Sequence, residues 1–397
     1  MPTRWMILAA STACAAGGGV PAAANAPRLE FEGPAGSGEP NLTVTPDGRA
    51  VLTWLEPAGE QRHTLRFAVR DAGAWSEPRT ILDSDSFFVN WADFPSLVAL
   101  PGGAWIAHWL ARVPGGTYAY HVRLAISRDQ GRTWSRPLTA HRDRTAQEHG
   151  FVSLIPWDDS TAALVWLDGR EMTAPQAGAH DAAGDMTLRF TTVTAGGRLG
   201  EEMLLDRRTC ECCQTALARA AAGPVAAYRD RSPEEIRDIT IVRRVGSTWT
   251  EPARVAADNW HYPGCPVNGP QLAAAGDTVA IAWFTAPDGA ARVQVAFSVD
   301  GGATWSAAQR VDDGRPQGRV DVVLLNGGDA LVTWVEGTSE IRARRVERDG
   351  DASRSWRVSE TSQGRAGGFP RIVPAGGEIL YAWTSGAGVR IAAQRLD

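Results

Sequence analysis

The chain has 397 residues, 44% of them hydrophobic and 21% charged, with 42 Gly and 24 Pro, which fills one large or two ordinary globular domains and excludes disorder. Its 40 basic and 45 acidic residues leave a formal net charge of -5 with no block of either sign. No basic stripe tracks a phosphate backbone, so nucleic acid is not an expected partner.

The first predicted element is an export signal. Residues 5–20 form the one apolar run near membrane length, rich in Ala and Gly and preceded by a single Arg4; no transmembrane span is expected. Ala24, Asn25 and Ala26 supply a small-residue cleavage site before Pro27, making 1–26 a signal peptide and 27–397 a single mature domain. Alternatively, residues 11–14 resemble a bacterial lipobox, giving a signal to residue 13, a lipid anchor at Cys14 and a tether beyond it. Both alternatives put the body of the protein outside the cytoplasm, periplasmic or secreted, where thiols oxidise.

From there the chain repeats itself. Short apolar segments close on an aromatic seven times, at Trp54, Trp109, Trp166, Tyr228, Trp283, Trp334 and Trp383, roughly 50 to 60 residues apart, a period that suits four-stranded propeller blades. Around each lie a preceding strand such as residues 95–99, a third strand, a tight hairpin and a fourth. The seventh repeat supplies only three strands before Asp397, and residues 28–32 are the obvious fourth, closing the ring and covering its open edge. The expectation is an all-β, seven-bladed β-propeller of four-stranded blades, with six blades the alternative.

Two of the third-to-fourth hairpins, 127–134 and 298–305, share the pattern S-x-D-x-G-x-T-W, and worn copies stand at 71–75 and 246–249. The Asp side chain bonds the turn backbone, Gly takes a positive φ, and Trp covers the hairpin. This pattern resembles the Asp-box, or BNR repeat, of the sialidase superfamily of β-propellers, over about residues 28 to 397. The resemblance implies a propeller but no particular activity, because such hairpins lie opposite the binding face and occur in many propellers that are not sialidases.

In a blade, the loop leading into strand one and the loop joining strands two and three open on one face. That face collects Trp91 and Asp93; His149; Cys210, Glu211, Cys212, Cys213 and Gln214; and Trp260, His261, Cys265 and Asn268. Asp168, Arg170, Glu171, Met172, His180, Asp181, Arg229, Asp230, Arg231, Glu235, Arg237 and Asp238 join them. Blades six and seven have short loops with little chemistry. Candidate ligand-binding residues are Trp91, Asp93, His149, Arg170, Glu171, Gln214, Arg229, Asp230, Arg237 and Asn268: the guanidiniums suit an anionic or sugar ligand and the indoles a sugar ring. Equally, the charges pair with one another in solvent and the indoles plug gaps between blades.

The cysteines leave three alternatives open. They pin the loops as one or two disulfides, including a single bond to Cys265 with two thiols left over. They hold a soft metal ion, copper or zinc, with Cys210, Cys212, Cys213, His261 and Cys265 as ligands. Or Cys210-x-x-Cys213 performs redox chemistry, without the helix N-terminus that usually lowers a thiol pKa there. A c-type haem is excluded by Gln214, where attachment needs His.

Resemblance to sialidases implies an arginine triad, a Tyr nucleophile polarised by Glu, an Asp acid/base and an F/Y-R-I-P motif in the first blade. That motif is absent. Arg49 stands on a turn, and residues 369–374 carry a related string in the last blade with one residue too many. Tyr228, with Arg229, Asp230, Glu234 and Glu235, is a candidate nucleophile group, or else a core aromatic at the Trp position of its strand. The expected function is an exported propeller whose Cys/His face binds a soft metal or a metal-dependent ligand. The alternatives are a sialidase-type glycoside hydrolase and a disulfide-stapled module binding a glycan, another small ligand or a protein.

Overall fold

The computed structural model describes residues 26–172 and 184–396. The expected export signal with Cys14, and His180 and Asp181, lie outside the described residues. Among those described, no helix is long and apolar enough to cross a membrane, and the only helical turns are Pro287–Gly289 and Gly364–Gly367.

The described strands form seven antiparallel sheets in a ring. Blade one is Gly38–Val44, Ala50–Pro57, His63–Asp71 and Arg79–Ser84; blade two is Ser96–Ala99, Trp105–Arg112, Tyr120–Ser127 and Leu138–Thr139. Blade three is His149–Pro156, Thr161–Asp168, Met186–Thr194 and Met203–Thr209; blade four is Ala216–Ala220, Gly223–Arg229, Ile239–Val245 and Ala253–Arg254. Blade five is Gln271–Ala275, Thr278–Thr285, Arg292–Ser298 and Gln309–Arg310, and blade six is Pro316–Leu324, Ala330–Glu336, Glu340–Val346 and Trp356–Glu360. Blade seven has Arg371–Ala375, Glu378–Ser385 and Gly388–Gln394, and its fourth strand is Arg28–Glu32 from the other end of the chain. Leu29 sits opposite Ala392 and Glu32 opposite Arg390, so seven blades stand and the N-terminal strand closes the ring.

The second strand of each blade is buried on both faces, which is why it reads as a continuous apolar run. Its closing aromatic fills the gap to the neighbouring blade: Trp54, Trp166, Trp283 and Trp334 are fully buried, each worth roughly 3–5 kcal/mol against alanine. Their indole N–H groups still need acceptors in that dry setting. Trp54 donates to Glu56 at 2.9 Å, Trp166 to Asp168 at 2.7 Å and Trp334 to Glu336 at 2.6 Å, a carboxylate two residues on in each case. Trp283 donates instead to Asp258, at 2.8 Å.

Strand pairing fixes the two faces. In blade two, Ser96 opposes His108 while Trp105 opposes Ser127, so the loop leading into the first strand and the hairpin after the third emerge at opposite ends of the blade. Both S-x-D-x-G-x-T-W hairpins are built alike. Ser127 and Ser298 donate to Asp129 and Asp300 at 2.7 Å, and those carboxylates accept from the backbone and hydroxyl of Thr133 and Thr304. The worn copies also form hairpins, with Arg70 opposite Trp75 and Arg244 opposite Trp249.

Candidate functional site

Strand Met203–Thr209 ends blade three, and the chain then crosses to blade four through Cys210, Glu211, Cys212 and Cys213. The N–H of Cys210 donates to the carbonyl of Arg229 at 3.0 Å, which ties this loop to the end of blade four's second strand. Cys212 is joined to Cys265, 53 residues on in the loop leading into blade five, with Cα atoms 6.0 Å apart. Cys210 and Cys213 are buried free thiols. The Sγ atoms of Cys210, Cys212 and Cys213 all lie within 4.8 Å of one another, and those of Cys210 and Cys212 are 4.0 Å apart. Four sulfurs therefore converge at the junction of blades four and five.

The electrostatics of that junction are set by Arg229. Its side chain is buried, and its guanidinium donates only to carbonyls: Asn268 at 2.8 Å, Arg237 at 2.5 Å and Phe284 at 2.5 Å. It also lies over the Trp260 ring, 4.9 Å from the centroid. Among the described residues no carboxylate pairs with it. Burial pushes the Cys210 thiol well up. Burial acts on Cys213 in the same direction, but the hydrogen bond from Cys210 and the Arg229 charge outweigh it and bring this thiol down. The two thiols are thus driven apart, Cys210 towards the neutral form and Cys213 towards the ionised one.

Beside the sulfurs opens a cavity of about 410 Å³ lined by Met172, Glu211, Arg231, Glu235, Arg237 and Cys265, among others. Its charges are paired. Arg231 holds Glu235 at 2.7 Å and also bonds Glu211; Arg237 bonds Glu235 at 2.8 Å and Glu211 at 3.1 Å. Met172 adds a thioether to the lining, whereas His261 is exposed and is not in the group of converging sulfurs.

The remaining candidates are occupied by the fold. Gln214 is buried; its Nε2 donates to the Ala92 carbonyl at 2.7 Å and its Oε1 accepts from the Gly269 N–H at 2.9 Å, linking the loops that lead into blades two, four and five. Asn268 accepts from the Arg319 N–H at 2.7 Å and donates to Gln317 at 3.2 Å. Trp91 stacks on Phe369 at 5.8 Å, and the Arg319 guanidinium lies 4.9 Å from the centroid of the Trp91 ring. Asp93 is buried, accepts from the Phe151 N–H at 2.6 Å, and lines a central cavity of about 150 Å³ together with Gln214 and Arg371. Burial raises its pKa to about 8.

Arg170 forks onto Asp168 at 2.7 and 2.6 Å and reaches Glu202 at 2.6 Å. Burial would raise Asp168, but Arg170 and the nearby His149 hold it down at about 2. Glu171 is exposed and bonds Arg189 at 3.1 Å. Asp230 is half-buried, and burial with the neighbouring Asp206 raises it to about 6. Tyr228 sits in the core, 1% exposed, with its hydroxyl donating to Asp206: it occupies the place of the aromatic in the other blades.

His149 belongs to a group the sequence did not announce. His121, His141 and His149 are all buried, one ring nitrogen of each lying within 4.8 Å of the others. They come from three segments of two blades, with no motif spacing. The available signal was that three of only seven histidines fall within residues 121–149, across one blade boundary.

No protein-family model matches the sequence, and no curated protein does. Among solved structures, the BP39L lectin from Burkholderia pseudomallei superposes with a TM-score of 0.62 at 12% identity, covering 91% of this chain and 96% of that one. A protein of unknown function from Dyadobacter fermentans DSM 18053 does so with a TM-score of 0.51 at 18% identity, covering 94% and 99%. A NanB sialidase from Streptococcus pneumoniae has a TM-score of 0.48 at 10% identity, covering 93% and 94%. At such identities the likeness is one of fold.

Proposed function

We propose that this chain is an exported propeller that holds a soft metal ion, copper(I) or zinc(II), through Cys210 and Cys213 where blades four and five meet. The observation that carries the reading is the buried thiol pair beside Arg229, a buried cation with no carboxylate of its own. A thiolate is the anion such a cation calls for, and thiolates are the ligands that soft ions prefer. Two thiolates suffice for copper(I), and with Cys212 and Cys265 joined to each other, Cys210 and Cys213 are the thiols left to hold it. Bound there by Cys210 and Cys213, copper would supply an electron-transfer centre or zinc a Lewis-acidic one, beside the cavity lined by Met172.

The test is elemental analysis and thiol titration on protein made in an oxidising compartment and purified without chelator. The reading expects near-stoichiometric copper or zinc, with Cys210 and Cys213 unreactive until denaturation, and loss of the metal in the Cys210→Ser/Cys213→Ser double variant with the fold intact. Four oxidised cysteines without metal would overturn it.

Tyr262 favours a second reading, a disulfide-stapled glycan-binding module. It is 39% exposed, stacked on Trp260 at 5.3 Å, and adjoins the cavity of paired Arg and Glu side chains. A flat aromatic beside fixed polar groups is how proteins hold sugar rings, and the lectin from Burkholderia pseudomallei shares the fold. Glycan-array binding that survives the double cysteine variant and disappears in Tyr262→Ala would select this reading.

A further inference from the structure

We propose a second metal site, for a borderline divalent ion of the zinc type, formed by His121, His141, His149 and Asp143 where blade two meets blade three. It is separate from the sulfur cluster and does not rest on that reading. His121 lies in the third strand of blade two, Tyr120–Ser127; His141 follows the fourth, Leu138–Thr139; His149 opens blade three, His149–Pro156. Their exposures are 6%, 0% and 0%. Ring centroids are 4.0 Å apart for His141 and His149, 4.8 Å for His121 and His141, and 5.1 Å for His121 and His149.

Backbone carbonyls settle which nitrogen of each ring is free. A carbonyl only accepts, so the nitrogen facing it carries the proton. His121 gives Nε2 to the Thr145 carbonyl at 2.9 Å, and His141 gives Nδ1 to the Asp143 carbonyl at 3.0 Å. His149 gives Nδ1 to the Gln147 carbonyl at 3.0 Å and the Tyr120 carbonyl at 3.2 Å. Each ring is thereby tied to a backbone acceptor, as metal-bound histidines are, which leaves its other nitrogen as the one that could bind an ion.

One of those nitrogens has no protein partner, and a second meets only carboxylates. His141 Nε2 is buried without any hydrogen bond. His149 Nε2 faces Asp143 Oδ2 at 2.9 Å and Asp168 Oδ1 at 3.7 Å. An imidazole lone pair and a carboxylate repel unless a cation stands between them, and that cation is either a proton on His149 or a metal. One ring nitrogen of each histidine lies within 4.8 Å of the others, and because the His141 and His149 planes stack at 3°, those rings must turn toward a shared ion to reach zinc–nitrogen distances of about 2.0–2.1 Å. Three imidazoles and a carboxylate are a zinc donor set rather than a copper(I) one. The Asp143 side chain is 13% exposed and gives the ion its way in. Binding exchanges the His149 proton for the ion, and the proton leaves to solvent.

The experiment uses the full chain carrying Cys210→Ser and Cys213→Ser, stripped with chelator and titrated with cobalt(II), then zinc(II). One equivalent of cobalt is expected, with tetrahedral visible bands, no sulfur-to-metal charge-transfer band, and displacement by zinc; His141→Ala loses the equivalent. Should that variant fail to fold, His121→Gln, nearer the surface, is expected to weaken binding at least tenfold. Absence of a bound equivalent at micromolar metal, sulfur bands in its spectrum, or a spectrum unchanged by a folded histidine variant would each overturn the site.

Discussion

The two S-x-D-x-G-x-T-W hairpins and the cysteine-bearing loops lie on opposite faces of the propeller and satisfy their polar groups in opposite ways. Each hairpin closes its hydrogen bonds within eight residues: Ser, Asp and Thr bond one another and the turn between them. On the other face the bonds run between blades. Gln214 links backbone 122 residues before it and 55 after, and Arg229 gathers carbonyls up to 55 residues away. A hairpin can therefore be lost singly, whereas a change on the other face disturbs several blades at once.

Substitutions should separate the two regimes. The largest effect is expected from Arg229→Leu, which strands three carbonyls in the interior and removes the cation beside Cys213; roughly 3–5 kcal/mol of stability should go, read by guanidinium unfolding. Gln214→Leu follows at roughly 2–3 kcal/mol by the same assay, because the Ala92 carbonyl and the Gly269 N–H are both left unpaired.

Asp93 gives a pH-dependent version of the contrast. Its pKa is raised by burial to about 8 when folded and is about 4 when unfolded. The folded chain thus retains a proton that the unfolded chain has released, and this contribution to stability is lost as pH rises through that window, by at most about 1.4 kcal/mol per pH unit. Thermal melts of Asp93→Asn against the parent should show a flatter decline between pH 5 and pH 8, because the parent's slope there carries about one extra proton. The smallest effect belongs to the hairpins: Asp129→Ala and Asp300→Ala should each lower the melting temperature by about 1–2 °C, additively. If either matched Gln214→Leu, the division between the two faces would fail.

What was legible in the sequence follows the same line. Blade count, closing strand and hairpins rest on local patterns: an aromatic ending an apolar strand, a Gly in a turn, a strand missing from one end and present at the other. Tyr228 as a core aromatic also followed from its place in the repeat. Gln214 and Asn268 stood out as polar residues on the right face, yet nothing local reveals that their amides bond backbone from other blades. The pairing of Cys212 rather than its neighbours with Cys265 depends on how two loops approach each other, which spacing leaves open. The histidine group depends on contact across a blade boundary. The carboxylate two residues after Trp54, Trp166 and Trp334 was readable and went unread.

Ring closure also has a meaning in time. Six blades are made from consecutive strands and can pair as soon as they are synthesised, but Leu29 must wait for Ala392. Until the last strand appears, the first has no partner and blade seven keeps a bare edge, open to a second chain. Completion is thus a single late event of the longest possible sequence separation, slow by its loop-closure entropy. A chain still on the ribosome holds its blades as an open arc, and only with its last strand does it become a ring.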